Sequence, residues 1–95
     1  MALSVGSSER ENDFIVYLCS FVEEDPTKLI ERGELYSLAK AKGFGEREVY
    51  SYAMDLDLLG YVKTQPILGG KIASLKLTAK GVAYAQELRE RQKPL

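Results

Sequence analysis

The chain has 95 residues, of which 45% are hydrophobic and 28% are charged, and its formal net charge is −1. This length and composition are typical of one globular domain with a single hydrophobic core. Histidine is absent and Cys19 is the one cysteine, which excludes histidine-based acid–base catalysis, Cys/His zinc sites and an intrachain disulfide. No apolar run approaches the roughly 20 residues of a membrane-spanning helix. We therefore expect a cytoplasmic protein that is not an enzyme, binds no cofactor or metal and contacts no membrane.

The charged residues are unevenly distributed along the chain. Residues 9–34 contain eight acidic and three basic residues, whereas residues 60–95 contain seven basic and two acidic residues. A basic half beside an acidic half is typical of a protein that presents one face to phosphate groups. The alternative is a dipolar surface that has no charged partner.

The N-terminal part of the chain predicts a leader and one amphipathic helix. Residues 1–8 have neither a basic start nor an apolar core, so we expect a flexible leader rather than a signal peptide. The first helix should run from about Glu9 to Glu24 and end before Pro26, because the residue preceding a proline is disfavoured in helical conformation. Its buried stripe shows helical spacing and consists of Phe14, Ile15, Leu18, Phe21 and Val22.

The next segment predicts a second helix and a tight turn. Leu29 and Ile30 should cross the edge of the core, where a short strand near Ile30 is an open alternative. The second helix should cover about Arg32 to Lys42 and end at a glycine. The turn is Gly43-Phe44-Gly45, in which two glycines permit the tight corner of a helix-turn-helix and the phenylalanine fills the core.

The third predicted helix, Glu46 to Leu59, has two chemically different faces. At about 100° per residue, one side collects the apolar residues that should face the core, namely Val49, Tyr52, Ala53, Leu56 and Leu59. The opposite side offers a cation, two hydroxyl groups and an apolar tip, a set suited to the DNA major groove: Arg47, Tyr50, Ser51 and Met54. Four acidic residues flank this outer face and would repel DNA, which leaves a different partner open: Glu46, Glu48, Asp55 and Asp57.

Two short strands separated by Leu68-Gly69-Gly70 predict a β-hairpin after the third helix. Val62 and Thr64 should face the core from the first strand, and Ala73, Leu75 and Leu77 from the second. Pro66 is consistent with an edge strand. Three lysines lie on or near this ribbon, at Lys63, Lys71 and Lys76.

The last helix should begin after Thr78, a suitable N-cap, and run to about Gln92. The first and last helices carry apolar residues on more than one face, which predicts that they pack across a two-fold axis in a homodimer. The residues expected at this interface are Val16, Cys19, Val82 and Leu88. Cys19 could approach its symmetry mate there, although a small buried hydrophobic residue is the other interpretation. One domain is expected over residues 9–92, followed by a short tail at residues 93–95.

Two motifs carry a resemblance to a known family. Leu56-x-x-x-Gly60-Tyr61-Val62, followed by Leu75-x-Leu77-Thr78-x-Lys80-Gly81, resembles the winged-helix regulators of the MarR and PadR kind. It is also similar to small winged-helix proteins of archaea and their viruses. The resemblance implies an α+β winged helix-turn-helix with three helices, a two-stranded β-hairpin wing and a C-terminal helix. It further implies a dimeric transcription factor that reads DNA through Arg47, Tyr50, Ser51 and Met54, with wing contacts from Lys63 and Lys71.

The sequence therefore predicts a small dimeric transcriptional regulator that binds double-stranded DNA sequence-specifically. The alternative is a winged-helix module that binds another protein and not DNA. One asparagine and three glutamines indicate a hot habitat, in which labile amides are avoided. No small-molecule effector is evident, and the operator, the direction of regulation and a cellular or viral origin stay open.

Overall fold

A computed structural model describes residues 2–92 of the chain, with side chains from Glu9 to Arg91. The protein is a small α+β fold with four helices and a three-stranded antiparallel sheet in the order β1–β3–β2. The expected tail at residues 93–95 lies outside the described residues, as does Met1. The elements are α1 Ala2–Phe21, β1 Ile30–Glu31, α2 Arg32–Ala41, α3 Glu46–Leu58, β2 Val62–Ile67, β3 Lys71–Leu77 and α4 Ala79–Gln92.

The first helix differs from its prediction at both ends. α1 begins at Ala2, so it takes in residues 2–8, which were expected to form a leader. These residues contain no proline, so every backbone N–H that a helix requires is present. At the other end α1 stops at Phe21, because the chain enters successive turns before and after Pro26: the Asp25 N–H donates to the Val22 carbonyl at 2.9 Å.

The sheet has three strands, where the sequence predicted a two-stranded hairpin and left a third strand open. β1 pairs with β3 through Ile30 opposite Leu75 and Glu31 opposite Ser74. The hairpin register is interrupted between Gln65 and Pro66, so that Ala73 has no partner across the strands. This bulge shifts the alternation of β3 by one residue, and Ile72 rather than Ala73 is buried.

One hydrophobic core joins all four helices to the inner face of the sheet. The turn Gly43-Phe44-Gly45 holds Phe44 in this core as predicted, with its ring edge-on to Phe14 at a centroid distance of 5.4 Å. Gly43 has a φ of +86°, which explains the need for glycine at the corner. The largest fully buried side chains are Phe14, Ile15, Leu18, Ile30, Leu35, Val49, Leu56, Val62, Ile72, Leu75 and Leu77.

The two sequence motifs meet in one joint between α3, the hairpin and α4. Gly60 turns the chain with a φ of +84°, and the Tyr61 N–H donates to the Leu56 carbonyl at 2.9 Å. The Thr78 hydroxyl donates to the Gly60 carbonyl at 2.7 Å and accepts the Gly81 N–H at 3.0 Å, which makes it the N-cap of α4. Gly81 passes so close to Tyr61 that any Cβ at this position would overlap the Tyr61 carbonyl.

No helix among the described residues is long and apolar enough to cross a bilayer.

Candidate nucleic-acid interface

α3 lies with its predicted apolar face on the core. Val49, Tyr52, Ala53 and Leu56 are buried, as the helical spacing predicts. Leu59 is the exception, with 52% of its surface exposed. α3 ends at Leu58, and the chain then turns into Gly60, so Leu59 does not continue the buried stripe.

One ridge of α3 faces the hairpin and not solvent. Met54 Sδ lies 3.8 Å from the Thr64 hydroxyl, and Asp57 Oδ2 accepts from the Thr64 N–H at 3.0 Å and from its hydroxyl at 2.6 Å. Tyr50 lies on the same ridge, because residues four apart on a helix are neighbours. Tyr50 and Met54 are consequently half-buried against the core, whereas Arg47 and Ser51 are exposed. Of the four residues predicted on the outward face of α3, two are therefore exposed and two are half-buried.

The N-terminus of α3 is held by a cluster that the sequence did not reveal. Arg10 of α1 donates two hydrogen bonds to the Glu48 carboxylate, at 2.7 and 2.8 Å, and a third to the Gly43 carbonyl at 3.2 Å. Glu48 also caps the helix by accepting the Gly45 N–H at 3.0 Å. The Arg10 hydrogen bonds, together with that of Gly45, lower the pKa of Glu48 to about 2. Arg10 is 38 residues from Glu48 in sequence, so no local pattern indicates the pair.

Three of the four acids that flank the outer face of α3 have partners in the fold. Glu48 pairs with Arg10, Asp57 accepts two hydrogen bonds from Thr64, and Glu46 lies 3.9 Å from the Lys71 ammonium group. The fourth, Asp55, lies beside Glu11 of α1. Burial, and secondarily the negative charge of Asp55, raises the pKa of Glu11. Arg10 and Lys71 compensate the charges of Glu48 and Glu46, so the repulsion that these acids would exert on a phosphate backbone is reduced at two of the four positions, whereas Asp57 keeps its charge because Thr64 is neutral.

The hairpin carries positive charge without compensation. Lys63 and Lys76 are directly opposite each other across β2 and β3, and both are exposed. Among the described residues, no carboxylate lies within 4.0 Å of either ammonium group. Residues 60–77 contain three lysines and no acid. Like charges directly opposite in a sheet are destabilising, so this pair gains nothing within the protomer.

Three other cations among the described residues of the C-terminal half have partners within the chain. Arg89 pairs with Glu23 at 3.3 Å and Arg91 with Glu87 at 3.3 Å, while the Lys80 ammonium donates to the Leu59 carbonyl at 2.9 Å. The arginine charges of α4 are therefore compensated within the fold, whereas those of Lys63 and Lys76 on the hairpin are not.

The hairpin runs antiparallel to α3, which places Arg47 and the hairpin turn at the same end of the molecule. Thr64, near the base of the hairpin, contacts Asp57 near the C-terminus of α3. Lys71, next to the turn, contacts Glu46 at the N-terminus of α3. The fold thus places Arg47 and Lys71 of the predicted site at one end of α3. Lys63 and Lys76 lie nearer the base of the hairpin, on the face of the ribbon opposite to Thr64. Ser51 is exposed on α3, and Tyr50 and Met54 are half-buried.

The four residues predicted at a dimer interface divide into two groups. Cys19 and Leu88 are buried within the chain, 4% and 6% exposed, because α1 and α4 pack against each other in the same protomer. They have no surface to offer a second copy, and Cys19 is the small buried hydrophobic residue of the second interpretation. Burial raises the pKa of its thiol. Val16 and Val82 are half-buried at the edge of the core.

Two exposed apolar sites were not predicted. Leu58, the last residue of α3, and Leu59, which follows it, are 86% and 52% exposed. At the hairpin turn, Leu68 is 98% exposed and Ile67 is 39% exposed. Leu58 lies about three helical turns from Arg47 on the same face of α3. The residues of the hairpin turn follow a proline. Neither pattern distinguishes a surface leucine from a core leucine.

Comparison with known proteins gives no match: no protein-family model, no curated protein and no solved structure is significantly similar to this chain.

Proposed function

We propose that this protein is a small transcriptional regulator that binds double-stranded DNA sequence-specifically, as a winged helix-turn-helix with α3 as recognition helix and the β2–β3 hairpin as wing. The observation that carries the proposal is the uncompensated lysine pair, Lys63 and Lys76, on an acid-free hairpin that packs against α3 through Thr64. Two of the four acids near the outer face of α3, Glu46 and Glu48, are paired with cations within the fold, which supports an anionic ligand there. An intracellular site of action belongs to the same proposal.

The residues divide into two roles in this proposal. Arg47 and Ser51 are exposed on α3 and reach base edges in the major groove, where arginine pairs with guanine O6 and N7. Lys63, Lys71 and Lys76 neutralise phosphates along the flanking backbone. Tyr50 and Met54, being half-buried, support the position of α3 rather than providing most of the contacts to bases.

A homodimer is part of the proposal. Val16 and Val82, at the edges of α1 and α4, are the predicted interface residues that keep accessible surface. A two-fold axis there would present two recognition helices to half-sites about 34 Å apart along the duplex.

The salt dependence of duplex binding tests the proposal. A mixed-sequence duplex of about 25 base pairs is titrated between about 50 and 200 mM salt, where each phosphate contact contributes about 0.9 to the log–log slope. The double variant Lys63→Gln, Lys76→Gln should lower that slope by roughly 1.8. Arg91→Gln is the matched control, because this arginine is paired with Glu87 on α4 and should leave the slope unchanged.

A second candidate function is supported by the exposed leucines at the end of α3. Leu58 and Leu59, with the exposed Asp55 beside them, would suit a partner protein better than a phosphate backbone. If duplex binding is undetectable at about 50 mM salt, where electrostatic binding is strong, this protein-interaction module replaces the DNA proposal.

A further inference from the structure

The turn of the hairpin exposes three consecutive apolar residues, Pro66, Ile67 and Leu68. Leu68 is 98% exposed, the highest value of any large hydrophobic residue described, and it lies next to Gly69 and Gly70. Both glycines have positive φ, +89° and +69°, and neither carries a side chain that would widen the turn. Leu68 therefore projects from a slender tip.

The strands behind this tip are interrupted by a β-bulge. The register shift between Gln65 and Pro66 places the bulge two paired positions before the turn, and bulges bend a ribbon and re-aim its side chains. Lys71 follows the turn, and Lys63 and Lys76 lie further down the same ribbon. The apolar tip is thus followed by cations, with no acidic residue anywhere in residues 60–77.

We infer that Leu68, supported by Ile67, is an apolar wedge that enters the minor groove and partly unstacks a base step when the protein binds DNA. The inference rests on the proposed function and adds a mode of shape-dependent recognition to it. The minor groove is about 6 Å wide, so a leucine side chain on a turn of two glycines fits, whereas a helix does not. Apolar side chains inserted between base steps kink the duplex by about 20–90°.

Charge and size favour DNA over the other occupant that such a tip suggests, an anionic membrane surface. Membrane attachment requires a large apolar face, and a single acyl chain already gives only marginal binding. The three apolar side chains on this turn offer less apolar surface than one acyl chain does. A base step flanked by phosphates matches both the apolar tip and the lysines behind it, and it lies within reach of the end of α3 that carries Arg47.

The test compares two duplexes of about 24 base pairs that contain only A·T pairs, one alternating and one a continuous A-tract. The two carry identical charge, but the TA steps of the alternating duplex are easily unstacked, whereas the A-tract is stiff and its narrow groove attracts cations. The wedge predicts that the unmutated protein prefers the alternating duplex. It also predicts a rise in the fluorescence of 2-aminopurine placed at its TA steps, since unstacking relieves quenching.

Leu68→Ser should abolish the fluorescence rise and reverse the preference toward the A-tract. Affinity for the alternating duplex should fall by about tenfold, less than full burial of a leucine would supply, because the unstacking cost disappears as well. Leu58→Ser is the matched control, because it removes another highly exposed leucine, 86% exposed against 98% for Leu68, at the far end of α3. It should change neither the preference nor the fluorescence.

The outcomes separate the wedge from the function on which it rests. Binding to both duplexes with equal affinity, or a preference that survives Leu68→Ser, overturns the wedge and leaves DNA binding intact. Binding to neither duplex overturns both. Co-sedimentation with phosphatidylserine vesicles that Leu68→Ser abolishes, in a protein that binds no duplex, would assign the tip to a membrane surface instead.

Discussion

Gly81 shows how one residue can determine the junction between two elements. It lies in the first turn of α4, where the Thr78 hydroxyl caps its N–H, and the Tyr61 carbonyl occupies the space that a Cβ would need. Backbone, and not a flexible side chain, is the obstacle, so relief would require the hairpin to move away from α4. The Gly60-Tyr61 and Thr78-x-Lys80-Gly81 motifs are therefore two sides of one close approach.

Replacing Gly81 with alanine adds a single methyl group, but it should destabilise the fold strongly. Gly81→Ala should lower the free energy of unfolding by at least about 2 kcal/mol, because overpacking against backbone forces a shift of the chain. Gly33→Ala is the control: nothing lies within 4 Å of a Cβ there. In the first turn of α2 it should be neutral or stabilise by up to about 1 kcal/mol. Urea unfolding followed by circular dichroism measures the free energy of unfolding of both variants. A similar loss of stability in the two variants would contradict the close approach of Gly81 to Tyr61.

Substitution of Arg47 should change the sequence specificity of DNA binding, whereas substitution of a hairpin lysine should change its affinity for all sequences. Arg47→Ala should relax the preference at one base position by about 1–3 kcal/mol, because a base-edge contact is lost. Lys63→Ala should weaken binding to all sequences alike, since phosphate contacts carry no sequence information. Competition binding against single-base variants of a selected site distinguishes the two. An Arg47→Ala protein that loses affinity equally for every duplex would show that α3 reads no base.

Helical periodicity could predict burial only for the residues that pack against the core. Val49 and Leu56 follow from helical spacing, because burial of an apolar face depends on that spacing alone. The half-buried state of Tyr50 and Met54 could not be predicted, since it depends on where β2 lies relative to α3. Arg10 was missed for the same reason: its partner comes from α3, and nothing in the local sequence marks an arginine that will bridge two elements.

At the scale of elements, the Arg10–Glu48 pair fixes α1 against the start of α3. The geometry is bidentate, and Arg10 also lies over the Phe44 ring at 4.7 Å. The carboxylate belongs to the capping of α3, so the ion pair and the helix terminus stabilise each other. Both side chains are partly exposed, 47% and 34%, so solvent and salt moderate the attraction.

The contribution of this pair should depend on pH in a definite direction. The pKa of Glu48 falls from 4.5 to about 2 on folding, so the stabilisation is complete above pH 4.5 and is lost as the pH falls toward 2. Glu48→Gln should lower the melting temperature by about 2–5 °C at neutral pH, and this difference should shrink as the solution is acidified through that range.

Glu87→Gln is the control for the acid titration, because it removes an exposed pair within α4 that joins no two elements. It should lower the melting temperature by less than about 1 °C. Thermal unfolding of both variants beside the unmutated protein at several pH values provides the comparison. A Glu48→Gln difference that stays constant down to pH 2 would mean that the ion pair does not stabilise the fold.

Element order was predictable where local signals are strong, and element edges were not. Gly43-Phe44-Gly45 and Leu68-Gly69-Gly70 mark turns through glycine conformations that the structure uses. The bulge that buries Ile72 could not be predicted from the sequence, because a register shift depends on how two strands fit together. The start of α1 at Ala2 was missed because residues 2–8 contain three serines and one glycine, and such a segment does not predict a helix.

At the scale of the whole molecule, the net charge of −1 conceals two kinds of charged residue, those paired within the fold and those without a charged partner. Glu48 of α3 pairs with Arg10 of α1, and the arginines of α4 pair with Glu23 and Glu87, while Lys63 and Lys76 of the hairpin have no acidic partner among the described residues. The proposed DNA interface is therefore small. One protomer contributes Arg47, Ser51 and three lysines, fewer phosphate contacts than tight binding normally requires. A dimer would double that number, which is why assembly belongs to the proposed function.

Assembly should be visible by sedimentation. The unmutated protein should be a dimer at high micromolar concentration, and Val16→Glu should shift it to a monomer by placing a charge at the proposed two-fold contact. Because Val16 also touches the core, circular dichroism of the variant must show retained helix content. A monomer in the unmutated protein would remove the dimer from the account, and a folded Val16→Glu dimer would place the contact elsewhere.

Selection of bound duplexes from a random DNA pool tests sequence-specific binding most directly. We expect enrichment of one motif, arranged as a palindrome with half-site centres about 10 base pairs apart, because the two copies of α3 in the proposed dimer would lie one helical turn apart. Arg47→Ala should lose information at symmetric positions of that motif, and Arg91→Ala should reproduce the original motif. A pool that stays random after repeated rounds, for a protein that remains folded, would contradict the central claim.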